Sequence, residues 1–78
     1  SDIVVLPPSR QSRGVVLELK VASAAAALKP MAEKACEQIK KQKYIEGLYA
    51  DGYEDIIGYG IAFYKKSCVI IALKDRNR

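Results

Sequence analysis

Histidine and tryptophan are missing from this chain, and cysteine occurs only twice, at Cys36 and Cys68, without CxxC spacing. Zinc sites of the usual kinds and histidine-based catalysis are therefore excluded within these 78 residues. Both cysteines sit in apolar stretches, which predicts buried, reduced thiols and a cytoplasmic location. No apolar run approaches the roughly 20 residues that cross a bilayer, and no secretory signal pattern is present, so no membrane partner is expected. The five tyrosines form no stacking platform and no base-reading motif occurs, which leaves sequence-specific recognition without support. A site built from oxygen ligands, suited to a hard divalent cation, survives these exclusions.

What is present is a small single domain. Half of the residues are apolar and 28% are charged, the balance of a folded chain rather than of a disordered tail. A chain this short buries roughly 60 to 65 per cent of its unfolded surface, which predicts marginal stability without a partner or further chain. The net charge of +4 suits an anionic partner. Its basic residues fall in small groups: Arg10 and Arg13; Lys40, Lys41 and Lys43; Lys65 and Lys66; and Lys74, Arg76 and Arg78. Each reads as solvated surface or as a footprint for phosphates.

The most informative stretch is GVVLELKVA, residues 14–22. Strand alternation sends Val16, Glu18 and Lys20 to one side and Val15, Leu17, Leu19 and Val21 to the other. The second side is wholly apolar and predicts the packed face; the first carries Glu18 and Lys20, about 7 Å apart by the strand rise. A half-buried edge strand with a surface ion pair alternates in the same way. The preceding residues add to the pattern. DIVVL, residues 2–6, is a second apolar run, and PPSRQSR, residues 7–13, is rich in turn formers. Folded as a hairpin with Leu6 facing Gly14, the register sets Asp2 opposite Glu18. Two facing acids repel, and a divalent cation is the economical compensation, with Lys20 as a further positive group.

Beyond residue 22 the apolar period lengthens from two to about 3.6. Ser23 is a candidate cap for a first turn, and Pro30 suits the first position of the main helix, which predicts a break near Lys29. Leu28, Met31, Ala32, Ala35, Cys36 and Ile39 form the apolar stripe, with Lys34, Glu37, Lys40 and Lys41 on the wet side. Gly52 is the expected stop, as the left-handed residue after the last turn. Two strands follow, about 57–64 and 67–73, joined by a tight turn at Lys65 and Lys66, with a turn longer than two residues as the alternative because neither is a preferred primed-turn residue. Gly58 and Gly60 share one strand face and predict close approach of another element. The order β-β-α-β-β reads as an α/β sandwich, with the apolar sheet face covering the helix.

An acid in one strand, a hairpin, a Glu-Leu-Lys triplet ending the next strand and a following helix together resemble the PD-(D/E)XK nuclease superfamily. VVLELKVA (15–22), ACEQIKKQKY (35–44) and GYGIAFYKKSC (58–68) look like the PD-(D/E)XK domain found after an AAA-ATPase-like domain in many uncharacterised bacterial proteins. The resemblance spans nearly all of the chain. It implies a restriction-endonuclease-like core fragment of class α/β. Family domains normally carry a helix and a strand before the acid, so residues 1–78 read as one truncated domain.

Residue by residue, the resemblance implies that Asp2 and Glu18 hold Mg2+ (or Mn2+), with the Leu19 carbonyl as a further ligand. Lys20 positions or activates the attacking water. Gln38 corresponds to the family glutamine on the following helix and Tyr44 to the tyrosine six residues on, although related exonucleases place that tyrosine four residues on, where this chain has Gln42. The implied activity is metal-dependent hydrolysis of phosphodiester bonds in nucleic acid, with DNA the expected partner. The competing reading is a catalytically inactive interaction or regulatory domain attached to an ATPase.

Overall fold

The computed structural model describes residues 2–73, with Asp2 described by its backbone alone. The basic group at Lys74, Arg76 and Arg78 lies outside the described residues. Strands β1 (Asp2–Val5) and β2 (Gly14–Val21) are followed by a 3-10 turn at Ala25–Ala27. Helices α1 (Leu28–Gln42) and α2 (Tyr44–Ala50) lead into strands β3 (Ile56–Tyr64) and β4 (Ser67–Leu73). The sheet order is β1-β2-β3-β4. Both outer pairs are antiparallel, whereas β2 and β3 run parallel across the helical crossover. The hairpin register is the expected one: Asp2 faces Glu18, Ile3 faces Leu17, Val4 faces Val16 and Val5 faces Val15.

The helices lie on the face opposite to the one that alternation favoured. Val16 and Glu18 are buried beneath α1, whereas the all-apolar set of β2 points to the other side, where Val21 is 80% exposed. The cause sits in β3. On the helix side β3 presents Gly58, Gly60 and Ala62, and on the other side Ile57, Tyr59, Ile61 and Phe63. A helix approaches closely only where the sheet offers small side chains, and α1 answers with Ala32, Ala35 and Cys36, all buried. A Cβ at Gly60 would stand 2.5 Å from the Ala32 carbonyl oxygen and 2.8 Å from the Cys36 backbone nitrogen, so this is main chain against main chain. The close approach predicted from the glycine pair is therefore present, and it chose the face. Among the described residues no element packs on the far face, and Ile3, Val5 and Ile70 remain substantially exposed there.

Several local expectations change. The main helix begins at Leu28 and carries Pro30 in its first turn, where a missing N–H leaves no helical bond unmade. Ser23 does not cap the first turn, since Ala24 holds that position before Ala25–Ala27 without a side-chain hydrogen bond, as Ala27 does before α1. The helix ends at Lys43, whose backbone is left-handed (φ 58°), and α2 starts anew, so one expected helix is two. Gly52 follows the second helix with φ +100°, as anticipated. The tight turn at Lys65 and Lys66 is present as expected, since Tyr64 pairs with Ser67 and Lys65 adopts φ 54°. Cys36 is buried but Cys68 is exposed, since strand alternation turns it toward the uncovered face.

The first loop does not offer its arginines to a ligand. Arg10 Nε donates to the Asp51 carbonyl at 2.8 Å and its guanidinium stacks 5.0 Å from the Tyr53 ring centroid. Arg13 Nε donates to Asp55 at 3.0 Å, and that hydrogen bond, followed by the charge of Asp55, raises the Arg13 pKa above its usual value. Both residues pin the hairpin loop to the segment entering β3. Among the described residues, the cations left to an anionic ligand lie on β2, on the helices and at the β3–β4 turn.

Candidate active site

Glu18 has no solvent exposure. It lies at the centre of the sheet, in register with Gly60 of β3 on one side and Asp2 of β1 on the other. Gly60 is what lets α1 settle over it, because a side chain there would lift the helix. Two residues on, Lys20 leaves the strand on the same face and sets its Nζ 3.7 Å from Glu18 Oε2, with a quarter of its side chain still in water. A carboxylate withdrawn from water costs several kcal/mol unless charge and hydrogen bonds answer it. Lys20 supplies the charge.

Directly opposed residues of an antiparallel pair have Cα atoms about 4.5 to 5.5 Å apart and side chains on one face. The register thus places Asp2 beside Glu18, on the helix side of the sheet. Its carboxylate lies outside what the structure describes. Leu19 points its side chain to the far face, so its main-chain carbonyl is the only part it has to offer a ligand at this site.

Above Lys20 an open groove of about 360 Å3 runs along α1. Its described lining is Lys20, Lys34, Glu37, Gln38, Lys41 and Gln42. Gln38 and Lys20 thus share one groove wall. Tyr44 is not in the described wall. It begins α2, beyond the left-handed break, and is 43% exposed. Gln42, one turn after Gln38, occupies the position that related exonucleases give to tyrosine, and no hydroxyl is available there. Sequence alone puts Lys34 and Lys41 merely on the wet side of the helix. Their spacing from Gln38, four and three residues, is the signal that puts all three on one stripe.

The Glu18 carboxylate and the neighbouring main-chain carbonyls are hard oxygen donors, a chemistry that suits a magnesium-class ion and does not suit zinc. Among the described residues no group of three or more His, Cys, Asp or Glu side chains converges to hold a metal ion. No described helix is long and apolar enough to cross a membrane.

A family profile described as PD-(D/E)XK nuclease superfamily matches residues 1–73. Comparison with curated proteins and with solved structures finds no match.

Proposed function

This chain belongs to the PD-(D/E)XK nuclease superfamily, and on that premise we propose that it hydrolyses phosphodiester bonds of DNA with Mg2+ or Mn2+. Glu18, Asp2 and the Leu19 carbonyl would hold the ion, which when bound lowers the pKa of a water and neutralises charge on phosphate oxygens. The observation that carries the reading is the sealed Glu18 with Lys20 at 3.7 Å and Gln38 in the groove above.

The protein's own groups then have distinct tasks. Glu18 is fixed by the sheet and kept dry by α1, so its charge acts at close range with little screening. The Lys20 ammonium orients the attacking water and meets the negative charge that grows on the non-bridging oxygens. Gln38 presents an amide to the nucleotide and limits its rotation in the groove. Attack by water at phosphorus forms one P–O bond, breaks the bond to the leaving oxygen, and transfers a proton to that oxygen.

The second reading, a non-catalytic interaction domain beside an AAA-ATPase-like domain, draws on the small number of acids around Glu18 among the described residues. DNA cleavage with Mg2+ separates the two. Lys20→Ala is expected to reduce the rate at least about a hundredfold, with circular dichroism confirming that the variant is folded. Cleavage unchanged in Lys20→Ala and in Glu18→Ala would reject the nuclease assignment.

A further inference from the structure

The wall of the groove above Lys20 carries two further lysines. Lys34 and Lys41 stand seven residues apart on α1, about 10.5 Å along the helix axis, with Gln38 between them and Lys20 facing them from β2. That spacing lets the two ammonium groups meet different phosphates of one strand. We propose that Lys34 and Lys41 form a track for the sugar–phosphate backbone of a nucleic-acid strand, holding phosphates on either side of the one delivered to Lys20. This inference rests on the nuclease reading for the identity of the strand, and it adds two binding residues outside the Asp2, Glu18, Lys20 and Gln38 set.

Three features favour a track over a solvated face. Both lysines are exposed, and neither makes an ion pair of 4.0 Å or less with a described residue in the structure. They share one concave surface with the Lys20 ammonium, which places three cations around one groove. The only acid in the described wall is Glu37, three residues after Lys34 and four before Lys41. At these helical spacings it moderates both charges. Lys40, by contrast, lies in a second trough that shares Glu37 with the first and adds Glu33, so there a single lysine stands beside two acids. The two troughs therefore differ in what they offer an anion.

The test is binding of a short fluorescein-labelled oligothymidylate, followed by anisotropy in EDTA from low to physiological salt, so that cleavage plays no part. Lys34→Ala/Lys41→Ala is expected to weaken binding about tenfold at low salt. It should also reduce the slope of log K against log salt by about 1.4, at about 0.7 for each single-strand phosphate that is no longer neutralised. The charge-matched control Lys40→Ala/Lys66→Ala should lose less than about twofold. Glu37→Gln should bind several-fold more tightly, a gain that misfolding cannot mimic. Equal losses in the two double variants, no effect of Glu37→Gln, or no binding by the wild-type protein would each overturn the track. A protein that shows this binding pattern but never cleaves DNA would retain the track and lose the nuclease reading. Cleavage that depends on Glu18 but ignores Lys34 and Lys41 would do the opposite.

Discussion

Glu18→Gln is expected to abolish cleavage, by at least about a hundredfold, while leaving the fold as stable as before or up to about 2 kcal/mol more stable. Glutamine keeps the volume of the side chain, exchanges one acceptor oxygen for an amide donor, and removes a charge that the fold keeps wholly from water. The remaining cation is not stranded, because Lys20 is one-quarter exposed and can turn to solvent. Lys20→Ala should show the opposite balance. It leaves the sealed carboxylate without its cation at 3.7 Å and should cost about 1 to 3 kcal/mol, less than a fully buried pair because Lys20 is partly hydrated. Urea denaturation midpoints for the two variants, with cleavage rates beside them, check the asymmetry. A purely structural ion pair would show the same stability asymmetry, but cleavage would then track the folded fraction and survive in Glu18→Gln.

Gly60→Ala is expected to destabilise the protein by about 2 to 4 kcal/mol. The new methyl would sit 2.5 Å from the Ala32 carbonyl oxygen and 2.7 Å from Cys36 Sγ, and the first of these cannot move without the helix. Helix α1 must lift from the sheet at the position directly beside Glu18. Because α1 also carries Gln38, cleavage should fall further than the unfolded fraction explains, since small misplacements of positioning groups are costly. Gly47→Ala gives the contrast. A Cβ there meets nothing within 4 Å, and alanine within a helix is favoured over glycine, so stability should rise by about 0.5 to 1 kcal/mol. Thermal unfolding of the two variants, with cleavage measured well below either midpoint, separates the site effect from the fold effect.

The hairpin register is legible in the sequence because parity and the turn-rich stretch 7–13 leave few ways to pair DIVVL with GVVLELK, and the pairing of Asp2 with Glu18 follows from it. The buried face is not legible from hydrophobicity. Alternation shows that a strand has two unlike sides, but which side receives the helix is decided by Gly58, Gly60 and Ala62 in a neighbouring strand. The glycine pair marks a site of close approach, yet its consequence for Glu18 depends on the β2–β3 register, which joins residues 42 positions apart. The helix break has no local signal, since a lysine in the left-handed region is disfavoured and nothing around Lys43 announces it. That break explains why Tyr44 leaves the groove and Gln42 stays in it.

The arginines of the first loop teach a related lesson. Composition counts Arg10 and Arg13 toward an anionic partner, whereas the fold pairs them with Asp51, Tyr53 and Asp55. Of the cations that remain for a ligand among the described residues, Lys34 and Lys41 line the groove that also holds Lys20. Net charge alone points to an anion without indicating where it would lie.

Paramagnetic broadening by Mn2+ in a two-dimensional NMR spectrum tests most directly whether the first strand and the sealed glutamate share an ion. Substoichiometric Mn2+ is predicted to erase the amide signals of residues 2 and 18–20 first, and to lose that pattern in Glu18→Gln. Broadening that begins instead at exposed acids such as Glu33, Glu46 or Asp51, and is the same in the variant, would contradict a metal site at Glu18.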